Sequence, residues 1–206
     1  MKKILPIFLV IAGIAILLPS FLNDKEPPLP TIPDDLEGFI IDSPATPLPD
    51  FTLIDHHNKP FTNDNLKGKW SLVFFGYTNC PDVCPTSMTV MNQVAQLAET
   101  PKDTQYVFIT VDPKRDTPEQ MKSFTTYFNE AFIGVSGEKE EIDKFKEPLG
   151  VIYNFEGDTN SDEYIVTHFA AIYMIDPSGK ERAYVLPPHS KEQVAKAYQI
   201  IRKNYE

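Results

Sequence analysis

Apolar residues cluster along this chain in blocks of different period, and the blocks give its elements. Ile4 to Leu22 contains no charged side chain. As a helix at ~1.5 Å per residue this segment would span roughly 28 Å, about one bilayer core. Residues 70–77 are the most strand-like run, and 106–111 form a continuous apolar run of the kind buried in a parallel sheet. Between them, Met88, Met91, Val94, Ala95 and Ala98 recur at helical spacing over 85–100. A second helix is predicted from Thr117, with Thr at the N-cap, Pro118 at N1 and Gln120 at N3, and with Met121, Phe124 and Phe128 inward. Residues 51–55 read as a short strand, 56–60 as a turn, and Phe61 opens the partner strand. Further strands are predicted at 132–135, 151–155, 164–176 and 182–186. Residues 138–147 read as a helix with Ile142 and Phe145 inward. A final helix is capped by Ser190, with Gln193 completing a capping box and Val194, Ala197, Ile201 and Tyr205 facing the core. This alternation is an α/β layer order.

The chemistry centres on Cys80 and Cys84, the only two cysteines in the chain. They follow the central strand directly and precede a helix, where open α/β sheets place their active loops. A residue before proline is disfavoured in the α region, so the helix is expected to start at Pro85 with Cys84 as N-cap and Cys80 in the loop. The Cys84 sulfur then lies near the positive end of a helix dipole, which favours its thiolate. Three uses stay open: a stabilising disulfide, thiol exchange, and binding of a soft metal. The disulfide would close so short a loop that it constrains little chain entropy.

Charge and flanking residues set the context. The formal net charge is −10, a poor basis for binding nucleic acid. Lys2 and Lys3 precede the apolar run and keep the N-terminus cytoplasmic, so the remainder is expected on the extracytoplasmic side of the cell membrane. No small-x-small site follows the run, which favours an uncleaved single-pass anchor over residues 1–22. No cysteine follows it either, which excludes a lipoprotein anchor. Seven of the nineteen prolines lie in 23–50. Residues 23–47 are read as an extended linker and 48–206 as one domain. In an oxidising compartment two free thiols must be kept reduced or metal-bound.

Two thiolates hold an ion better with a third donor. Of His56, His57, His168 and His189, His168 stands out, because it opens the apolar run 170–175 near the expected sheet centre. His56 and His57 fall in a polar turn and read as solvated. Two thiolates and one imidazole form a soft, low-coordinate set suited to Cu(I), and with distortion to Cu(II), whereas zinc would want a fourth ligand. A dithiol oxidoreductase of the thioredoxin sort would have two residues between its cysteines, and here there are three. A thiol peroxidase would want Thr and Pro where this chain has Tyr77 and Val73.

Residues 76–85 (Gly-Tyr-Thr-Asn-Cys-Pro-Asp-Val-Cys-Pro), 111–118 (Val-Asp-Pro-Lys-Arg-Asp-Thr-Pro) and 164–168 (Tyr-Ile-Val-Thr-His), followed by 173–179, resemble the Sco/SenC family in order and spacing. These are membrane-anchored copper proteins that help assemble cytochrome c oxidase. The resemblance covers roughly residues 48–202. It implies a thioredoxin-like fold, a copper site of Cys80, Cys84 and His168, and a metallochaperone that is not an enzyme in the turnover sense. The implied partners are cytochrome c oxidase subunit II, other copper chaperones and a thiol reductant. The alternative is a membrane-tethered thiol-disulfide reductase that uses Cys80 and Cys84 as its redox pair. Asp82 matches the acidic position of the family's loop. Thr167 departs from the family, which commonly has Asp before the histidine. A lost outer carboxylate typically costs ~10–100-fold in metal affinity, so weaker copper binding is expected unless Asp82 or Asp112 compensates. The stretch 112–116 reads as a turn and helix cap.

Overall fold

The computed structural model describes residues 27–161 and 163–205. The expected membrane anchor at 1–22 lies outside them. Among the described residues no helix is long and apolar enough to cross a membrane.

A mixed eight-stranded sheet is flanked by helices. Its strands are β1 (Phe39–Pro47), β2 (Thr52–Asp55), β3 (Pro60–Thr62), β4 (Trp70–Gly76), β5 (Thr104–Thr110), β6 (Ile133–Ser136), β9 (Ile172–Ile175) and β10 (Lys180–Val185). They lie in the order β1-β10-β9-β4-β5-β6-β2-β3. The remaining strands, β7 (Tyr153–Glu156) and β8 (Ile165–His168), form a separate antiparallel pair. The helices are α1 (Asn63–Leu66), α2 (Val83–Ala95), α3 (Pro118–Phe128), α4 (Lys139–Lys146) and α5 (Lys191–Tyr205). Strands β4, β5 and β6 run parallel, so their carboxyl ends share one pole of the sheet. Every residue of β4 is buried, which is why its sequence, apart from Ser71, is apolar on both faces and shows no alternation. The capping box at Thr117 is present, with the Thr117 side chain accepting from the Gln120 amide. At α5 Ser190 accepts from the Gln193 amide at 3.2 Å, but the Gln193 side chain donates to the Glu37 carbonyl and leaves the box open.

Three sequence expectations need correction. The linker does not extend to residue 47. Phe39–Pro47 is a strand paired antiparallel with β10, and Leu36, Phe39 and Ala45 are buried in the core. Its prolines are tolerated because β1 is an edge strand with an irregularity between Ile41 and Thr46. Residues 164–176 are not one strand. β8 alternates between exposed and buried positions and pairs with β7, whereas β9 is wholly buried between β4 and β10. A strand with one wet face cannot continue unchanged into a covered sheet, and the chain breaks over Phe169, Ala170 and Ala171. Finally, α2 begins at Val83, two residues before Pro85. The first four N–H groups of a helix have no partner inside it, so a proline in the first turn loses no hydrogen bond.

Candidate metal centre

The early start of α2 decides the thiol geometry. Asp82 is the N-cap, and Thr86 N–H already bonds to its carbonyl at 3.2 Å. Cys84 therefore sits in the first helical turn and points into the core, fully buried. Cys80 stays half-buried in the loop, where its own N–H bonds to the Tyr77 carbonyl at 3.2 Å. The Cys84 N–H points at the Cys80 sulfur at 3.5 Å.

The thiolate is accordingly Cys80 and not Cys84, contrary to the sequence expectation. The Cys84 thiol and the backbone N–H groups of Asp82 and Cys84 favour charge on the Cys80 sulfur and bring its pKa down to about 4 against the opposing effect of burial. Burial, followed by the neighbouring Cys80, pushes the Cys84 thiol far up. The helix N-terminus thus serves the sulfur above it in the loop, because the sulfur inside the first turn is shut away from water.

His168 closes the site. It is the last residue of β8, and its Nε2 lies 3.3 Å from the Cys84 sulfur. Ligand atoms of Cys80, Cys84 and His168 all lie within 4.8 Å of one another. The His168 ring stands edge-on to Phe74 and Tyr77, at centroid distances of 6.0 and 6.1 Å. Its Nδ1 faces the Phe169 carbonyl at 3.4 Å, which can only accept, so the proton belongs on Nδ1 and the Nε2 lone pair faces the thiols. Two sulfurs and one imidazole nitrogen, arranged this way, fit a soft metal ion.

The other histidines are arranged differently. His56 is buried, not solvated as expected. Its Nδ1 accepts the Gly134 N–H at 2.9 Å, so Nε2 carries the proton and faces His57 Nε2 at 3.0 Å. His189 Nε2 faces the Val185 carbonyl at 3.1 Å and its Nδ1 the Ser87 hydroxyl at 3.0 Å. His168 alone among the four turns a ring nitrogen toward the cysteines.

The structure places Thr167 away from the imidazole. It lies on the opposite face of β8 from His168, exposed, and its hydroxyl bonds to Glu156. A side chain there does not reach the imidazole directly, and the Phe169 carbonyl occupies Nδ1 instead. Asp82 is exposed. Asp112 is committed to Arg115 and Tyr164.

Gly76 is required by the site. A Cβ there would lie 2.8 Å from the Cys84 sulfur and 2.9 Å from a ring carbon of Phe108. Gly76→Ala is expected to cost ~1–3 kcal/mol through overpacking and to displace the Cys84 sulfur. Thermal unfolding and copper competition on the same sample test this. Wild-type values for both would mean that the sulfur has room to spare.

Sequence reading missed the residues beneath the loop. Asp112, Arg115 and Asp116 are all buried, under both arms of the site. The available signal was four charged residues, Asp112, Lys114, Arg115 and Asp116, placed just after an almost wholly buried strand.

Comparison with known proteins agrees with this geometry. The SCO1/SenC family model matches residues 42–202. A Stutzerimonas stutzeri protein whose name describes it as copper-binding is 35% identical over 182 residues, covering 87% of this chain and 86% of its own length. A SCO2-like protein of Rickettsia conorii is 41% identical over 133 residues, which are 64% of this chain and 65% of that protein. The copper-bound ScoI structure of Arabidopsis thaliana superposes with a TM-score of 0.68 at 30% identity, over 75% of this chain and 98% of that one. The copper-bound yeast Sco1 structure gives 0.70 at 26%, over 78% and 91%. The mixed sheet with its flanking helices matches these folds, and the chain belongs to the SCO1/SenC family.

Proposed function

We propose that this protein is a copper-binding assembly factor that holds copper through Cys80, Cys84 and His168. In this reading it passes the ion by ligand exchange to the dinuclear copper site of cytochrome c oxidase subunit II. It works on the extracytoplasmic face of the membrane, tethered by residues 1–22, and receives copper from other chaperones. It is not a turnover enzyme. The observation that carries the reading is the convergence of two sulfurs with an imidazole nitrogen whose lone pair faces them. The half-buried Cys80 gives an acceptor protein access to one ligand while Cys84 stays behind it.

The same asymmetry supports a second reading as a thiol-disulfide reductase. The accessible Cys80 thiolate would attack a substrate disulfide and expel one substrate thiolate. Cys84 would lose its proton and attack the Cys80 sulfur, expelling the second thiolate and leaving a Cys80–Cys84 disulfide. A thiol reductant would then restore the dithiol.

Copper titration of the full chain in detergent micelles, reduced and then oxidised, separates the two. The reduced protein is expected to bind one equivalent and the disulfide form none, with transfer of the bound ion to a soluble copper-site domain of subunit II. Disulfide exchange with that domain in the absence of copper binding would favour the reductase.

A further inference from the structure

The two arms of the site come from different parts of the fold. The thiols sit on the loop between β4 and α2, in the main sheet. His168 sits on the β7–β8 pair, which is not hydrogen-bonded to that sheet. Directly between the arms lie the Cys84–His168 contact and the edge-on packing of His168 against Phe74 and Tyr77, and ligand geometry is sensitive to displacements of ~1 Å. A polar segment bridges them.

Asp116 holds the thiol arm. Its fully buried carboxylate accepts from the Thr78 N–H at 3.0 Å, the Thr78 hydroxyl at 2.5 Å and the Thr110 hydroxyl at 2.6 Å. Thr78 lies two residues before Cys80. Asp112 and Arg115 hold the histidine arm. Arg115 pairs with Asp112, donates to the Tyr164 carbonyl at 2.9 Å and stacks over the Tyr164 ring at 3.5 Å. The Tyr164 hydroxyl donates to Asp112 at 2.6 Å. Tyr164 immediately precedes β8. Lys114, between them, donates to the Thr159 carbonyl at the far end of the same hairpin. One five-residue segment after β5 thus grips both arms through charge-assisted bonds, the strong kind, buried at Thr110, Asp112 and Arg115, part-buried at Thr78 and exposed at Lys114.

We propose that Asp116 and the Asp112–Arg115 pair are positioning residues that set the distance between the two thiols and the imidazole before any metal arrives. They touch no ligand atom and act through Thr78 and Tyr164. This rests on the copper-binding reading for its consequence but not for its geometry.

The test uses the full chain in detergent micelles with Asp116→Asn, Thr78→Val and Tyr164→Phe. The last two remove a single hydroxyl each and keep the fold if Asp116→Asn does not. In the reduced, metal-free protein, the nuclear Overhauser contact between the His168 ring and the Cys84 β-protons is expected to weaken in all three. Copper(I) affinity, measured against a chromophoric chelator, is expected to fall ~10-fold or more. The sulfur-to-copper(II) charge-transfer band is expected to shift, which a loss of stability alone would not cause. Wild-type contact and wild-type band in both hydroxyl variants would overturn the proposal and leave 112–116 a structural turn. If the wild type bound no copper, the function reading would fail, and the metal-free contact would still decide this one.

Discussion

Replacing His168 with Ala is expected to weaken copper retention by ~100-fold or more, beyond the ~10–100-fold typical of losing an outer partner of a ligand. The reason lies in the ring's protonation. With Nδ1–H toward the Phe169 carbonyl, Nε2 presents a lone pair 3.3 Å from the Cys84 sulfur. Removing it leaves two sulfurs, which form a poor cage alone. The Cys80–Cys84 disulfide should still form and reduce, because neither sulfur is moved. His56→Ala is the matched control. It strands the buried Gly134 N–H, at a cost of ~1–3 kcal/mol, but removes no lone pair from the site. Copper competition on both variants, with thermal unfolding beside it, reads the two effects separately. Equal copper affinity in His168→Ala and wild type would remove His168 from the ligand set.

The layer order was legible from local signals, and the grouping of Cys80, Cys84 and His168 from the motifs that resemble the Sco/SenC family. β4 and β5 declare themselves by apolar runs without alternation, and α3 by its capping box. The cysteine pair is unique in the chain, and its place after β4 follows from strand-then-helix order. What failed had non-local causes. The edge strand Phe39–Pro47 was hidden by prolines that only its position at the margin of the sheet permits. The break at Phe169–Ala171 separates two apolar segments that read as one, because a sequence does not say which strand pairs with which. His56 was read as solvated from its polar turn, yet the turn folds onto the Gly134 backbone. The assignment of the thiolate reversed for one reason: the helix starts two residues earlier than Pro85 suggests. Buried charge at Asp112, Arg115 and Asp116 is the least legible feature, since its partners Thr78 and Tyr164 lie 38 and 49 residues away from Asp116 and Arg115 respectively.

Glu181→Gln is expected to stabilise the protein at alkaline pH, by an amount that grows with pH. Glu181 is buried in β10 against Asp42 and Thr46 of β1. Burial, then the hydrogen bond and negative charge of Asp42, raise its pKa to about 9, with Arg182 opposing. The folded state therefore keeps a proton that the unfolded chain gives up near its ordinary carboxylate value. The stability this carries is complete at low pH and is lost as pH rises toward 9, at ~1.4 kcal/mol per pH unit. Over the whole window the loss is several kcal/mol, worth on the order of 10 °C in a domain of this size. Cys80 works in the opposite sense. Its pKa is lowered by folding, so its stabilisation is lost as pH falls, over much of the same range. His56 and His189, held below the ordinary imidazole value chiefly by burial, also lose stability as pH falls. The wild-type profile mixes these slopes, and the difference between wild type and Glu181→Gln isolates one of them. Thermal midpoints from pH 5.5 to 9 should converge at the acid end and separate steadily toward the alkaline end. Parallel profiles would mean that Glu181 is ionised in the fold. In that case Arg182, the cation that already opposes the shift, would be what holds the buried charge at the β1–β10 seam.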